Sequence, residues 1–331
     1  MSTVSGAAGA GLRDGQCARG DINATRIIPT VWLVIDGSGS MVEPFGDKQR
    51  WVALREALMD PTNGVVKQLE NQVKFGLILY DGPLPGGLGG QLLPDGGIAM
   101  FSTPPASPDQ CPRLIAVDAN LTNFEPINMA LPPDPLGGST PTDKAVEAVL
   151  GHLPPGGQQM LDMVTQPTIV VLATDGEPND FCSEDFFPQD PAPKVIAAVE
   201  KLAQNDVKTY VISLAGDNQN LTQHLTAVAA AGATGKPPFI PTSKDELVQI
   251  FKDISPPASC DIVLNGRVKP GTECTGTIEV NGTILKCGDP EGWVLTDERT
   301  VTLQGSACEG FKANLQSVLK ADFPCEAIAL N

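Results

Sequence analysis

The run Val31-Trp32-Leu33-Val34-Ile35 limits the fold more than any other stretch of the chain. Five consecutive apolar residues, most of them β-branched, make a strand that is buried on both faces rather than one that alternates between core and water. A second such run, Thr168-Ile169-Val170-Val171-Leu172-Ala173, lies well over a hundred residues further on. Between and after them come stretches of helical period. Val146, Val149, Leu150 and Leu153 recur at i, i+3, i+4 and i+7, and Leu247, Ile250, Phe251 and Ile254 repeat the pattern behind a Ser243/Glu246 capping box. Strands buried on both faces and alternating with helices predict an α/β fold, a doubly wound, mainly parallel sheet with helices on both sides.

The residues just after the two buried strands are small and polar. The first strand ends in Asp36-Gly37-Ser38-Gly39-Ser40 and the second in Thr174-Asp175-Gly176, while Gly137-Gly138-Ser139-Thr140-Pro141 opens a helix between them. In an open α/β sheet such loops stand at the carboxyl edge, where ligands bind and where segments distant in sequence meet. One carboxylate and two hydroxyls at alternate positions, separated by glycines, are able to turn three oxygens toward one point. Hard oxygen donors of this kind suit Mg²⁺, Ca²⁺ or Mn²⁺. Each loop also has a plainer reading. The first and third are compatible with turns that end strands, and Thr140 before Pro141 fits an N-cap followed by proline at the first helical position.

Three regions are expected: a leader over residues 1–25, a main domain over 26–256, and an appendage over 257–331. Residues 82–112 are rich in Gly and Pro and read as an insertion in the main domain, with a short hairpin around Asp95-Gly96-Gly97. After Ser255-Pro256-Pro257 the pattern turns to short strands and turns, including Asn265-Gly266 and Asn281-Gly282, the dipeptide that type I′ hairpins favour. A short helix capped by Ser306 and Glu309 is expected to bury Cys308, Phe311, Leu315 and Val318. Five of the eight cysteines fall in this last region, so a small β core stapled by disulfides is expected there. No Cys-x-x-Cys occurs and only two histidines are present, which disfavours zinc and iron–sulfur sites. Disulfides point to an oxidising compartment, periplasmic, cell-surface or extracellular. Residues 1–12 carry no basic and then apolar pattern, so the expectation is an exported form whose signal sequence is missing.

The net charge of -17, with 39 acidic against 22 basic residues, makes nucleic acid and anionic membrane surfaces poor partners. No apolar run reaches the roughly 18–20 residues that span a bilayer, so no direct membrane insertion is expected.

Asp36-Gly37-Ser38-Gly39-Ser40-Met41, Gly138-Ser139-Thr140-Pro141-Thr142 and Ala173-Thr174-Asp175-Gly176-Glu177-Pro178 together resemble the three parts of the metal-ion-dependent adhesion site of von Willebrand factor type A domains. The resemblance covers about residues 26–256. It implies a Rossmann-like fold, a bound divalent cation (Mg²⁺ first, Ca²⁺ or Mn²⁺ as alternatives), and partner binding rather than catalysis. It also implies that Ser38, Ser40 and Thr140 ligate the ion directly, while Asp36 and Asp175 act through metal-bound water. Ser139 and Thr142 flank Thr140 and offer the same chemistry; the family pattern of threonine just before proline favours Thr140. In the appendage, Gly292-Trp293, Asp297, Val301-Thr302-Leu303, Cys308 and Phe323-Pro324-Cys325 are similar to exported bacterial proteins of this family.

Mg²⁺ takes six oxygens, and three hydroxyls with two waters leave one place. A partner's Asp or Glu is the natural sixth ligand, because no protein carboxylate neutralises the ion directly. The acidic surface would repel an acidic partner at long range, so salt should modulate binding. Glu177, Asp180, Glu184 and Asp185 form an acidic stretch beside Cys182, read as solvated charge or as a second calcium site. Two other functions compete: a disulfide-stapled envelope protein whose metal is purely structural, and a metal-assisted hydrolase. Against the hydrolase, neither His152 nor His224 lies in the three loops, and no Gly-x-Ser-x-Gly elbow is present.

Overall fold

The computed structural model describes residues 20–329 apart from 23, 83–88, 93–97, 102–111, 154–159, 162–163, 180–189, 217, 256–258 and 315–316. The chain divides into two compact units, residues 28–258 and residues 1–27 with 259–331.

The larger unit is built on five strands: β1 (Thr30–Asp36), β2 (Lys74–Asp81), β3 (Arg113–Asn120), β4 (Thr168–Thr174) and β5 (Lys208–Ser213). Their order across the sheet is β5-β4-β1-β2-β3. All neighbours run parallel except β3, which closes one edge antiparallel to β2. Every residue of β1 and β4 is buried, as continuous apolar runs require.

Alternation along β1 sorts the helices into two layers. Val31, Leu33 and Ile35 face α1 (Arg50–Met59), α2 (Val65–Leu69), α3 (Phe124–Ala130) and α7 (Lys244–Ile254). Trp32 and Val34 face α4 (Thr142–His152), α5 (Ala192–Gln204) and α6 (Gln219–Ala231). This is the Rossmann-like, doubly wound, mainly parallel sheet that the sequence predicts. The chain runs outward from β1 through β2 to β3, then returns to place β4 on the other side of β1. The strand order therefore reverses between β1 and β4, which makes the crevice at their carboxyl ends the switch point of the sheet.

Several local details differ from the sequence reading. Helix α4 begins at Thr142, after Pro141, and no side chain caps it, so Thr140 is not an N-cap. Helix α3 has no counterpart in that reading, because Pro126 lies inside it. Pro126 falls in the first turn, where the backbone N–H has no intrahelical partner to lose. In the capping box of α7, Ser243 accepts from the Glu246 N–H at 3.3 Å, but the Glu246 carboxylate turns back to the N–H of Thr242, not Ser243. The insertion contains an antiparallel pair, Gly89–Leu92 with Ile98–Phe101, around the expected hairpin turn; residues 93–97 lie outside the described residues.

The second unit is mainly β. One four-stranded sheet runs Gly20–Ile22, Leu319–Phe323, Thr277–Val280, Thr283–Leu285, and another runs Trp293–Asp297, Thr300–Leu303, Asp261–Leu264, Ala24–Arg26. Ile262, Trp293, Val301, Phe311 and Phe323 form its core, and Cys260–Cys308 and Cys274–Cys287 staple it. Cys325 is also disulfide-bonded, and no described cysteine is free. Cys17, Cys111 and Cys182 lie outside the described residues.

Residues 20–22 and 24–26 supply one edge strand to each of the two sheets, pairing with Ala321–Phe323 and with Ile262–Leu264. Asn281-Gly282 makes the expected tight turn, both residues having positive φ. Asn265-Gly266 does not. Leu264 pairs with Ala24 and Arg267 with Ala329, so this dipeptide carries the chain from one sheet to another. Helix α8 (Gly305–Ala313) buries Phe311 but has no side-chain cap; the Ser306 N–H donates to Glu291, and Val318 is exposed.

Candidate metal centre

The switch-point crevice contains all five residues singled out from the sequence. Asp36 ends β1 with its carboxylate fully buried. Its Oδ1 accepts from the Ser38 N–H at 2.9 Å, and its Oδ2 accepts from the Thr174 hydroxyl at 2.6 Å. Ser38 Oγ lies 3.1 Å from Ser40 Oγ, and the Ser40 hydroxyl donates to Asp175 Oδ1 at 2.7 Å. Four of the five are thus joined in one hydrogen-bonded chain, drawn from loops more than a hundred residues apart.

Thr140 is placed by the loop at residues 137–141. Its N–H donates to Asn179 Oδ1 at 3.0 Å, while the Asn179 N–H donates back to the Thr140 carbonyl at 3.0 Å. A methyl group added at Gly176 would stand 3.5 Å from Thr140 Oγ1 and 3.8 Å from Ser40 Oγ, so these hydroxyls flank one cradle that a Cβ would fill. Of the two alternatives to Thr140, only Thr142 has its hydroxyl engaged elsewhere. Thr142 Oγ1 lies 3.1 Å from the Tyr80 hydroxyl, and Ser139 Oγ is packed against Gly82, buried and without a hydrogen-bond partner.

The loops are stitched to one another through the backbone. Gly137 N–H donates to the Gly37 carbonyl at 2.9 Å, and Gly39 N–H donates to the Gly138 carbonyl at 2.9 Å. Gly138 also approaches the Gly82 carbonyl so closely that any Cβ there would lie 1.9 Å from it, which only glycine avoids.

The electrostatics of this arrangement are unfavourable without a cation. Burial, with repulsion from Asp175 second, pushes the Asp36 carboxyl up to about 7, against the bonds from Thr174 and Ser38. Burial also raises Asp175, opposed by the Ser40 hydroxyl and by Arg50. Desolvation raises Tyr80 well above its ordinary value, and the neighbouring Asp36 adds to this.

Three contributors escape the sequence reading. Arg50 Nη1 sits 2.9 Å from Asp175 Oδ2, 2.7 Å from Glu43 Oε2 and 3.3 Å from the Ser40 carbonyl. It occupies a core-facing position of α1, in line with Ala53, Leu54, Ala57 and Leu58, and a charge on that otherwise apolar stripe was the available signal. Thr174 and Asn179 hold Asp36 and Thr140 respectively; nothing in their residue types alone separates them from ordinary strand-end residues. Of the acidic stretch, Asp180, Glu184 and Asp185 lie outside the described residues. Among the described residues, no group of three or more His, Cys, Asp and Glu side chains is placed to hold an ion. The donor set that the geometry assembles is instead rich in hydroxyls, backed by two buried carboxylates, and that set suits a hard divalent cation.

No protein-family model matches the sequence, and no curated protein matches it. Similar solved structures include the pilus adhesin SpaC from Lactobacillus rhamnosus GG in its open conformation, with 14% identity and a TM-score of 0.46 over 90% of this chain and 38% of that one. The PilB minor pilin from Streptococcus sanguinis has 15% identity and a TM-score of 0.45 over 70% of this chain and 61% of that one. The manganese-loaded TRAP protein of Plasmodium vivax has 15% identity and a TM-score of 0.39 over 80% of this chain and 91% of that one. The chain spans less than two thirds of the length of the adhesin and of the pilin. At this distance the functional reading is carried by the site's own geometry.

Proposed function

We propose that the chain is a binding module of an exported protein whose attachment to a partner depends on a divalent cation. The observation that carries this reading is the linked run Asp36, Ser38, Ser40 and Asp175, with the Ser40 and Thr140 hydroxyls together flanking Gly176. Ser38, Ser40 and Thr140 would hold the ion, Mg²⁺ before Ca²⁺ or Mn²⁺, and Asp36 and Asp175 would hold its waters. Bound there, the ion supplies a Lewis-acidic position for a carboxylate.

The residues decide how strong that position is. Asp175 already shares its charge with Arg50, so Asp36 is the one acidic group of the pair left without a cationic neighbour to neutralise it. An ion so incompletely neutralised favours an Asp or Glu from a protein partner. The reading is of a binding module and not an enzyme. Disulfide bonding of the described cysteines supports a site of action in an oxidising compartment.

The test has two arms on the full chain. Titration with Mn²⁺, followed by water-proton relaxation, should show one saturable site in the wild type and none in Ser38→Ala. Binding to an array of displayed peptides carrying single Asp or Glu residues should appear in Mg²⁺ and vanish in EDTA. Equal peptide binding in both buffers would overturn the adhesive reading, and a fall in melting temperature with EDTA but no acid-dependent binding would make the metal structural.

A further inference from the structure

At the opposite edge of the sheet, the first residues of three parallel strands stand in one row. Thr168 of β4 is in register with Thr30 of β1, and Thr30 with Lys74 of β2, so their side chains leave the same face. Two residues further, Val170, Trp32 and Gly76 form the next row. A Cβ on Gly76 would lie 2.6 Å from Trp32 Cε3, so the missing side chain is what lets the indole lie across β2. His152 and Leu153 at the end of α4, with Asp118 and Ala119 of β3, close a cavity of about 150 Å³ with Thr30, Trp32, Lys74 and Thr168.

The polar groups of this cavity are unevenly satisfied. Asp118 Oδ1 lies 2.9 Å from His152 Nδ1, and the imidazole is braced by the Trp32 ring, with centroids 5.0 Å apart. That pairing engages the imidazole through Nδ1 and leaves Nε2 as the acceptor nitrogen of the neutral ring. Lys74 is different. Its ammonium is half-buried, burial alone lowers its pKa, and it makes no hydrogen bond or ion pair with any described residue, although Asp118 lines the same cavity. A half-withdrawn charge without a counter-ion is costly, and folded chains pair such groups or use them. Nothing in the metal centre calls for it, since Lys74 stands at the other end of β2 from the switch point.

We propose that this cavity is a second binding site, for a small oxyanion whose charge is met by the Lys74 ammonium and one of whose oxygens is met by the Thr30 hydroxyl. Its volume of about 150 Å³ leaves room for an ion of the size of acetate or phosphate. Carboxylate and phosphate share the recognition chemistry, and separate titrations distinguish them.

The experiment is an NMR titration of the full chain in EDTA, with sodium acetate and with inorganic phosphate, at constant ionic strength against chloride. EDTA keeps any cation out of the switch-point crevice, so the outcome is independent of the adhesive reading. The Trp32 indole N–H, assigned by Trp32→Phe, should shift saturably with a millimolar midpoint for at least one of the two anions. Lys74→Met should weaken that midpoint tenfold or more, and Lys74→Arg should restore most of it. Thr30→Val, which leaves the charge in place, should weaken it severalfold and serves as the second variant should Lys74→Met fail to fold. Shifts that stay linear for both anions, or an unchanged midpoint in the Lys74→Met and Thr30→Val chains, would overturn the proposal.

Discussion

Arg50 Nη1 lies 2.9 Å from Asp175 Oδ2, with the guanidinium 10% exposed and the carboxylate not at all, so the crevice carries a fixed cation of its own. The pair neutralises Asp175 while leaving Asp36 unpaired, and it keeps two buried carboxylates from facing each other undiluted. Breaking a buried pair costs about 3–5 kcal/mol, because the surviving charge stays desolvated. Arg50→Gln is therefore expected to lower the melting temperature of the metal-free chain by many degrees. It should also strengthen Mg²⁺ binding about tenfold, since a second uncompensated carboxylate then faces the ion. Calorimetric titration with and without EDTA measures both, and weaker Mg²⁺ binding in a folded Arg50→Gln chain would contradict the assigned role.

Gly176 separates site geometry from stability. Its φ lies outside the left-handed region, and an added methyl would meet Thr140 Oγ1 and Ser40 Oγ at ordinary contact distances. The fold should accept Gly176→Ala with a change within about 1 kcal/mol, because alanine also restricts the unfolded chain. The cradle between the hydroxyls would nevertheless be filled. Mn²⁺ affinity is expected to fall at least tenfold with the melting temperature moved by only a few degrees. Undiminished affinity would place any ion away from these hydroxyls.

The pH dependence of the metal-free chain originates in Asp36. Its carboxyl titrates near 7 in the folded state against an ordinary value of 3.8. Between those values the folded chain holds a proton that the unfolded chain has released, so stability is greatest at the acidic end and falls as pH rises toward 7, then levels. The slope from this group is on the order of 1 kcal/mol per pH unit. Urea unfolding in EDTA from pH 4.5 to 8 should show that decline in the wild type, and a much shallower one in Asp36→Asn. Saturating Mg²⁺ should abolish it, because the ion favours the charged carboxylate. Parallel profiles for the two chains in EDTA would remove Asp36 as its source.

How much of the molecule is legible in its sequence depends on the range of the interactions. The apolar runs at 31–35 and 169–173 define the buried strands locally, and the polar residues just after them mark the crevice, so sheet and loops are both legible. Arg50 is legible in principle, as a charge among Ala53, Leu54 and Ala57, but the helical stripe draws attention to its apolar members. Pro126 hides α3 because its position within the first turn is known only once the helix start is known. The pairing of Gly20–Ile22 with Ala321–Phe323 is beyond reach, since two short strands three hundred residues apart carry no shared periodicity. The same holds for the row Thr168, Thr30 and Lys74, which exists only through register between strands.

The loop that carries Thr140 is held from outside the crevice. Arg113 Nε donates to Asp81 Oδ1 at 2.7 Å, and Asp81 Oδ2 accepts from the Gly138 N–H at 3.2 Å, so the edge strand β3 steadies residues 137–140 through one buried carboxylate. The two partners contribute unequally. Arg113 is half exposed, which limits its ion pair to about 1 kcal/mol or less, whereas Asp81 is buried and satisfies a backbone donor in the loop itself. Asp81→Asn should therefore weaken Mg²⁺ binding severalfold, because the loop loses its charged acceptor and Thr140 loses its fixed position. Arg113→Gln should change Mg²⁺ affinity less than twofold and shift the melting temperature only slightly. Thermal unfolding and Mg²⁺ titration of both chains decide the matter: if Arg113→Gln weakens binding as much as Asp81→Asn, the loop is positioned by the ion pair and not by the Asp81 bond to Gly138.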